Sequence, residues 1–181
     1  MKNNGKGKDE NMKKVIIVMG SDSDLQVMEG AVRTLRKFGV PFDVRIVSAH
    51  RTPSAAEELS KTAEERGYGL IIAAAGKAAH LAGVMAANTI LPVIGVPIKS
   101  SFMDGMDSLL STVQMPAGIP VATVAVNGAE NAALLAVQIL AGSEPQLAEA
   151  MRQYKVEMEK KVLEKDDNIR KQYSAPAEEN V

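Results

Sequence analysis

No cysteine and no tryptophan occur in this chain, and its aromatic residues stop at three Phe and three Tyr. The missing thiols exclude disulfides, thiolate metal sites and cysteine nucleophiles together, and they suit a reducing, cytoplasmic compartment. With aromatics at 3% against an apolar fraction of 46%, the core has to be assembled from Ala, Val, Ile, Leu and Met. Charge of neither sign is in excess. The formal net charge of -1 offers none of the basic field that a nucleic-acid binder needs. No run of about 18 apolar residues appears, so no membrane-spanning helix is expected. Gly-x-Gly-x-x-Gly and Gly-x-x-x-x-Gly-Lys-Ser/Thr are missing too, which removes the usual dinucleotide and P-loop readings.

What is present suffices for one domain with a sizeable core in 181 residues. Apolar runs at 15–19, 42–47, 68–73, 92–97 and 120–126 read as strands, the first of them covered on both faces. Between them, Leu25, Met28, Val32 and Leu35 recur at helical spacing until Gly39 and Pro41 end the pattern. Thr52 reads as an N-cap with Pro53 opening a helix that reaches about Gly67. Further helices are expected at 78–88, 108–113 and 129–140. Strands alternating with helices imply a doubly wound, flavodoxin-like domain: three α/β/α layers around a parallel sheet.

The flanks are different. Residues 1–13 form a polar lead-in expected to be disordered, without the apolar centre of a secretory signal, and 166–181 read as a flexible tail. The α/β domain occupies 14–142, and a helix follows at 143–165. Leu147, Met151, Tyr154, Met158 and Val162 make a narrow stripe along it, after the sheet is already complete. Such a stripe is expected to bury itself outside its own domain, and helix 129–140 is apolar nearly all round. A homo-oligomer is the expectation.

Two strand-end stretches carry the chemistry. Gly20-Ser21-Asp22-Ser23-Asp24 offers hydroxyls and backbone N–H groups at a helix start, which suits a phosphate; equally, Ser23 or Asp24 can simply cap that helix. Ser48-Ala49-His50-Arg51-Thr52-Pro53 sets an imidazole, able to give and take a proton near neutrality, beside a guanidinium that pairs with phosphate or carboxylate. The alternative is a loop histidine bonded to backbone, beside a surface arginine. His80, the other histidine, opens a Gly/Ala-rich helix where it orients His50 or a carboxylate, or is an ordinary helix residue. Two histidines without a clustered carboxylate make a poor metal site. Lys99, Ser100 and Ser101 read as a lid or as plain surface loop.

Taken in order, the strings Val18-Met19-Gly20-Ser21-Asp22-Ser23-Asp24, Val47-Ser48-Ala49-His50-Arg51-Thr52-Pro53, Ala75-Gly76-Lys77-Ala78-Ala79-His80-Leu81, Pro92-Val93-Ile94-Gly95-Val96-Pro97 and Asp107-Ser108-Leu109-Leu110-Ser111-Thr112-Val113-Gln114-Met115-Pro116 resemble one family. It is the 5-(carboxyamino)imidazole ribonucleotide mutases, the family of the catalytic subunit of phosphoribosylaminoimidazole carboxylase. The resemblance covers 14–142, with the later helix also fitting.

The resemblance implies a purine-biosynthetic isomerase working as a homo-octamer with neither metal nor organic cofactor. It would interconvert 5-(carboxyamino)imidazole ribonucleotide and 5-amino-1-(5-phospho-ribosyl)imidazole-4-carboxylate. It further implies His50 as general acid and base, Ser21, Ser23 and Asp24 as substrate contacts, and Arg51 at the ribose phosphate. Ser48, Ala75, Gly76, His80 and Leu81 would surround the aminoimidazole and its carboxylate, with Lys77 adding a cation nearby. Ala74 and Lys77 stand where many relatives carry glycine, and Ala82 where proline is frequent. Transient contact with the ATP-dependent enzyme that makes the substrate would follow from the same assignment. The alternatives are direct carboxylation of aminoimidazole ribonucleotide with carbon dioxide, as in a second branch of the family, and a flavodoxin-like nucleotide- or flavin-binding module.

Overall fold

Over residues 12–174, which a computed structural model describes, five strands alternate with helices. In order they are β1 Lys14–Met19, α1 Leu25–Lys37, β2 Phe42–Ile46, α2 Pro53–Thr62, β3 Tyr68–Gly76, α3 Leu81–Ala87, β4 Val93–Ile98, α4 Met106–Val113, β5 Ala122–Thr123, α5 Ala129–Leu140 and α6 Pro145–Tyr173. The sheet is parallel throughout and ordered β2-β1-β3-β4-β5. The doubly wound, three-layer expectation holds. The strand order reverses between β1 and β3, and crevices for ligands open at the carboxyl ends on either side of such a reversal.

The continuous apolar runs of β1, β3 and β4 follow from cover on both faces. On one face Val15, Ile17, Leu70, Ile72, Ile94 and Val96 pack under α1, α5 and the start of α6. On the other, Ile16, Val18, Ile71, Ala73 and Val93 pack under α2 and α3. Helix α5 needs little polar surface because α1, the sheet and α6 enclose it, leaving Ala132, Ala133, Ala136 and Val137 fully buried.

Several expectations need correction. β2 ends at Ile46, one residue short of the expected run, and as an edge strand it leaves Val44 and Ile46 exposed. β5 pairs with β4 over two residues instead of the whole apolar run. Pro97 supplies the reason: its C=O accepts from the Asn127 N–H at 2.8 Å, but it has no N–H to return. Helix α2 stops at Thr62, and a turn closed by Gly67 at φ 83 carries the chain to β3. Helix α3 starts at Leu81 because Lys77, at φ 56, turns the chain through an extra loop first.

The stripe on α6 divides. Leu147 and Met151 are buried in their own subunit's core, and Tyr154 packs edge-on against Phe38 with ring centroids 5.6 Å apart. Only beyond that point do Met158 and Val162 face outward, at 45% and 64% exposure. The helix also runs to Tyr173, through residues 166–173 that read as flexible tail. The expected lead-in at 1–11 and the last residues, 175–181, lie outside the described residues. No helix among the described residues is long and apolar enough to cross a membrane.

Candidate active site

The loops leaving β1, β2, β3 and β4 converge on one cavity of about 570 Å³ at the strand-order reversal. From the β1 loop come Ser21, Ser23 and Asp24, and from the β2 loop Ser48, His50 and Arg51. The β3 loop contributes Ala75, Gly76, Lys77, His80 and Leu81. Every site residue expected from sequence therefore lines the same space. Gly20, Ala49, Ala78 and Ile98 line it as well, and so do Lys99, Ser100 and Ser101 of the anticipated lid segment.

The β1 loop is ordered by its own hydroxyls. Ser21 caps the short 3-10 turn that precedes α1, its Oγ accepting the Ser23 N–H at 3.3 Å. The Ser23 hydroxyl donates to Asp24 Oδ1 at 3.2 Å, and Asp24 makes no side-chain cap. The cap thus falls on Ser21, two residues earlier than the nearer of the expected positions. Burial pushes the Asp24 carboxyl above its usual range, with Asp22 adding to the rise. Hydrogen bonds from Ser23 and from the Ser21 backbone act against it.

The β2 loop closes on itself. Thr52 Oγ1 accepts the Ser48 N–H at 3.0 Å and donates to the Ser48 C=O at 3.1 Å, so its hydroxyl ties the loop instead of capping α2. Ser48 Oγ in turn accepts from the Arg51 N–H at 3.2 Å and from Arg51 Nε at 3.4 Å. Arg51 Nη2 donates to the Gly20 C=O at 2.8 Å, pinning the β2 loop to the β1 loop. A guanidinium has five N–H donors, so donors remain for an anion in the cavity.

His50 and His80 meet over the end of β1. His50 Nε2 and His80 Nδ1 are 3.0 Å apart, with the rings edge to face at 5.1 Å and 73°. One proton lies in that contact, so the two imidazoles take complementary donor and acceptor roles. A Cβ on Gly76 would come 3.2 Å from the Ile98 C=O, so a side chain there would push the ends of β3 and β4 apart by a few tenths of an ångström.

Asn127 is the residue that sequence reasoning missed. The Asn-Gly pair after β5 reads as a simple break, yet Asn127 adopts φ 58 and its Oδ1 accepts the Lys99 N–H at 2.9 Å. It thereby fixes the start of the β4 loop at the cavity rim. Beyond it, Lys99 Nζ pairs with Asp104 Oδ1 at 3.0 Å, and Ser100 Oγ donates to Asp107 Oδ2 at 3.2 Å. Met103, Asp104 and Gly105 have φ of 52, 54 and 94, an unusual succession of left-handed residues. No group of three or more His, Asp or Glu side chains with metal-ligating potential gathers among the described residues.

A cavity at the switch point of a doubly wound sheet, with paired imidazoles beside hydroxyls and a guanidinium, is the arrangement of an α/β enzyme that acts on a small molecule. The chain belongs to the AIR carboxylase family, which it matches over residues 14–161. It is 60% identical over 149 residues to the N5-carboxyaminoimidazole ribonucleotide mutase of Pyrococcus horikoshii, covering 82% of this chain and 84% of that protein. The phosphoribosylaminoimidazole carboxylase of Candida albicans is 56% identical over 153 residues, covering 84% of this chain but 27% of that protein. A crystal structure of Treponema denticola PurE superposes with a TM-score of 0.77 at 32% identity, over 85% of this chain and 96% of that one.

Proposed function

We infer that this chain is an isomerase of purine biosynthesis that converts N5-carboxyaminoimidazole ribonucleotide into the 4-carboxylated aminoimidazole ribonucleotide and back. The observation that carries the reading is the His50–His80 hydrogen bond at 3.0 Å inside the switch-point cavity, in a chain whose mutase relatives match it over most of its length.

The chemistry needs one proton delivered and one recovered. His50 gives a proton to the exocyclic nitrogen as its bond to the carboxylate carbon breaks, releasing carbon dioxide and aminoimidazole ribonucleotide within the cavity. The ring carbon C4 then bonds to that carbon dioxide, and His50 takes the proton that C4 carried. Atoms and charge balance without a redox step. Histidine suits a group that acts as acid and base in one cycle. His80, as the partner of His50 Nε2, sets which nitrogen holds the proton.

Ser21, Ser23 and Arg51 are assigned to the phosphate, where hydroxyls, backbone N–H groups and a guanidinium converge. Asp24 is assigned to the ribose hydroxyls. Ser48, Ala75, Gly76, Lys77 and Leu81 are assigned to the aminoimidazole and its carboxylate. Lys99 to Ser101 form the side that excludes water and retains the gas.

The fuller form of this reading is a cytoplasmic homo-octamer that needs no cofactor and meets the enzyme supplying its labile substrate. In it, 14–142 form the catalytic unit and the end of α6 joins subunits. The exposed apolar residues on the outer half of α6 and the absence of cysteine support these points. A flavin-binding module is disfavoured, because no Phe, Tyr or Trp lines the cavity to stack on a flavin ring.

The deciding experiment runs two substrates in parallel, following the 4-carboxylated product by ultraviolet absorbance. Fast conversion of the N-carboxylated ribonucleotide without added bicarbonate supports the mutase. Efficient conversion of aminoimidazole ribonucleotide at modest bicarbonate assigns direct carboxylation instead, and activity in neither defeats both.

A further inference from the structure

Lys77 is exposed at the cavity and combines three properties. It lies at φ 56, a left-handed conformation that the Cβ of any L-residue disfavours. It belongs to the loop between β3 and His80 and lines the cavity. And its ammonium makes no hydrogen bond or ion pair with any described residue. The other two cavity cations are engaged: Lys99 with Asp104 at 3.0 Å, and Arg51 with the Gly20 C=O at 2.8 Å. Asp24, on the β1 loop, is the cavity's one carboxylate, and it accepts from the Ser23 hydroxyl at 3.2 Å. The β3 side of the cavity thus carries a free positive charge, held there at a conformational cost.

Resting on the reaction inferred above, we propose that Lys77 is the specificity-determining contact for the migrating carboxylate, selecting carboxylated ribonucleotides over the bare aminoimidazole ribonucleotide. Strain that persists at a site is retained where the surrounding structure and function use it. With Arg51 assigned to the phosphate and Lys99 paired with Asp104, Lys77 is the cation left for the second anionic end of the substrate. Its effect is on binding rather than on the chemical step. The carboxylate's charge disappears as carbon dioxide forms, so an ammonium favours the bound substrate and product over the intermediate between them. An interaction of that kind lowers KM without raising kcat.

The test is calorimetric binding of the 4-carboxylated ribonucleotide and of aminoimidazole ribonucleotide to the full-length protein and to Lys77→Met, Lys77→Arg and Lys77→Gly. Lys77→Met and Lys77→Gly are expected to lose about tenfold in affinity for the carboxylated ligand, the worth of an ordinary charge-assisted hydrogen bond. Affinity for the uncarboxylated ligand stays unchanged, and Lys77→Arg keeps most of the selectivity. KM for the carboxylated substrate rises while kcat does not fall. Lys77→Gly also raises the thermal midpoint by about 2–4 °C, because glycine accepts the left-handed conformation, whereas Lys77→Met does not. Equal losses for both ligands would place Lys77 on the ribose phosphate and overturn the proposal, as would no loss for either, while native turnover upholds the inferred reaction. Failure of the unaltered protein to bind either ribonucleotide would remove both.

Discussion

His50 and His80 stand 30 positions apart in the chain, yet His50 Nε2 and His80 Nδ1 share a hydrogen bond of 3.0 Å. The contact bridges the loops of β2 and β3, the two strands that flank β1 in the sheet. Neither imidazole can be moved without disturbing the other, and two variants separate their roles.

Replacing His50 with Asn removes the proton carrier and leaves a side chain of similar size. Turnover should fall by about 10³-fold or more, the upper part of the range for a general acid–base group. Binding of the 4-carboxylated ribonucleotide, measured by calorimetry, should stay within a few fold. Near-normal turnover would sink the assignment of His50.

His80→Phe keeps a planar ring and removes the hydrogen bond. The expected result is a kcat reduced by roughly tenfold, the equivalent of one hydrogen bond, with KM little altered. An effect confined to KM would show that His80 holds substrate instead of orienting His50.

Asp43 and Tyr68 form a pH-sensitive pair away from the cavity. The Tyr68 hydroxyl donates to Asp43 Oδ2 at 2.6 Å and Lys14 Nζ donates to the same oxygen at 3.1 Å. The Tyr68 bond first, then the Lys14 bond, holds the Asp43 carboxyl below its ordinary value of 3.8. Burial, then the Asp43 acceptor, pushes the Tyr68 phenol from 10.0 up to about 12. The Asp43 contribution to stability is therefore present above 3.8 and lost as pH falls through the lower, folded value. The Tyr68 contribution is present below 10.0 and lost as pH rises through about 12. Spectrophotometric titration of Asp43→Asn should find the Tyr68 phenol ionising at lower pH, and carbon NMR of Tyr68→Phe should find Asp43 protonating at higher pH. Unshifted titrations would mean that the contact does not persist in solution.

Two truncations distinguish fold from assembly. Ending the chain after Gly142 removes Leu147 and Met151 from the subunit core, a loss of about 2–5 kcal/mol for each large side chain, so the subunit itself should be destabilised. Ending it after Tyr154 keeps both and removes the part of α6 beyond that residue, with Val156, Met158, Val162 and Leu163 at 45–64% exposure. That shorter chain should unfold cooperatively while its mass in solution drops. An unchanged mass by sedimentation would show that α6 does not join subunits.

The reach of sequence reading follows from which interactions are local. β1, β3 and β4 were legible as continuous apolar runs because both their faces are covered. The loops at 20–24 and 48–53 were legible because chemistry-bearing side chains follow directly on those runs. Edge position was not: Val44 and Ile46 look like core residues until the strand order puts nothing beyond β2. Nor could spacing show that Leu147 and Met151 turn inward while Met158 and Val162 do not, since helical periodicity reports a face but not what covers it. Asn127 escaped notice because its part, holding the Lys99 N–H at 2.9 Å, depends on a partner 28 positions away. Motif resemblance named residues that line one cavity; which of them engage one another emerged only from the fold.

Pro97, which ends the β5 ladder after two residues, also protects the molecule from itself. A sheet edge with a full row of free N–H and C=O groups is a template on which another chain can add as a strand. At the β4 edge the donor of Pro97 is absent and its acceptor is taken by Asn127. The cover over the rest is irregular backbone that cannot seed a regular ladder. The β2 edge keeps its free groups, but the charged Arg45 lies between Val44 and Ile46 there. Open-ended growth by strand addition is thereby disfavoured at both sides of the sheet.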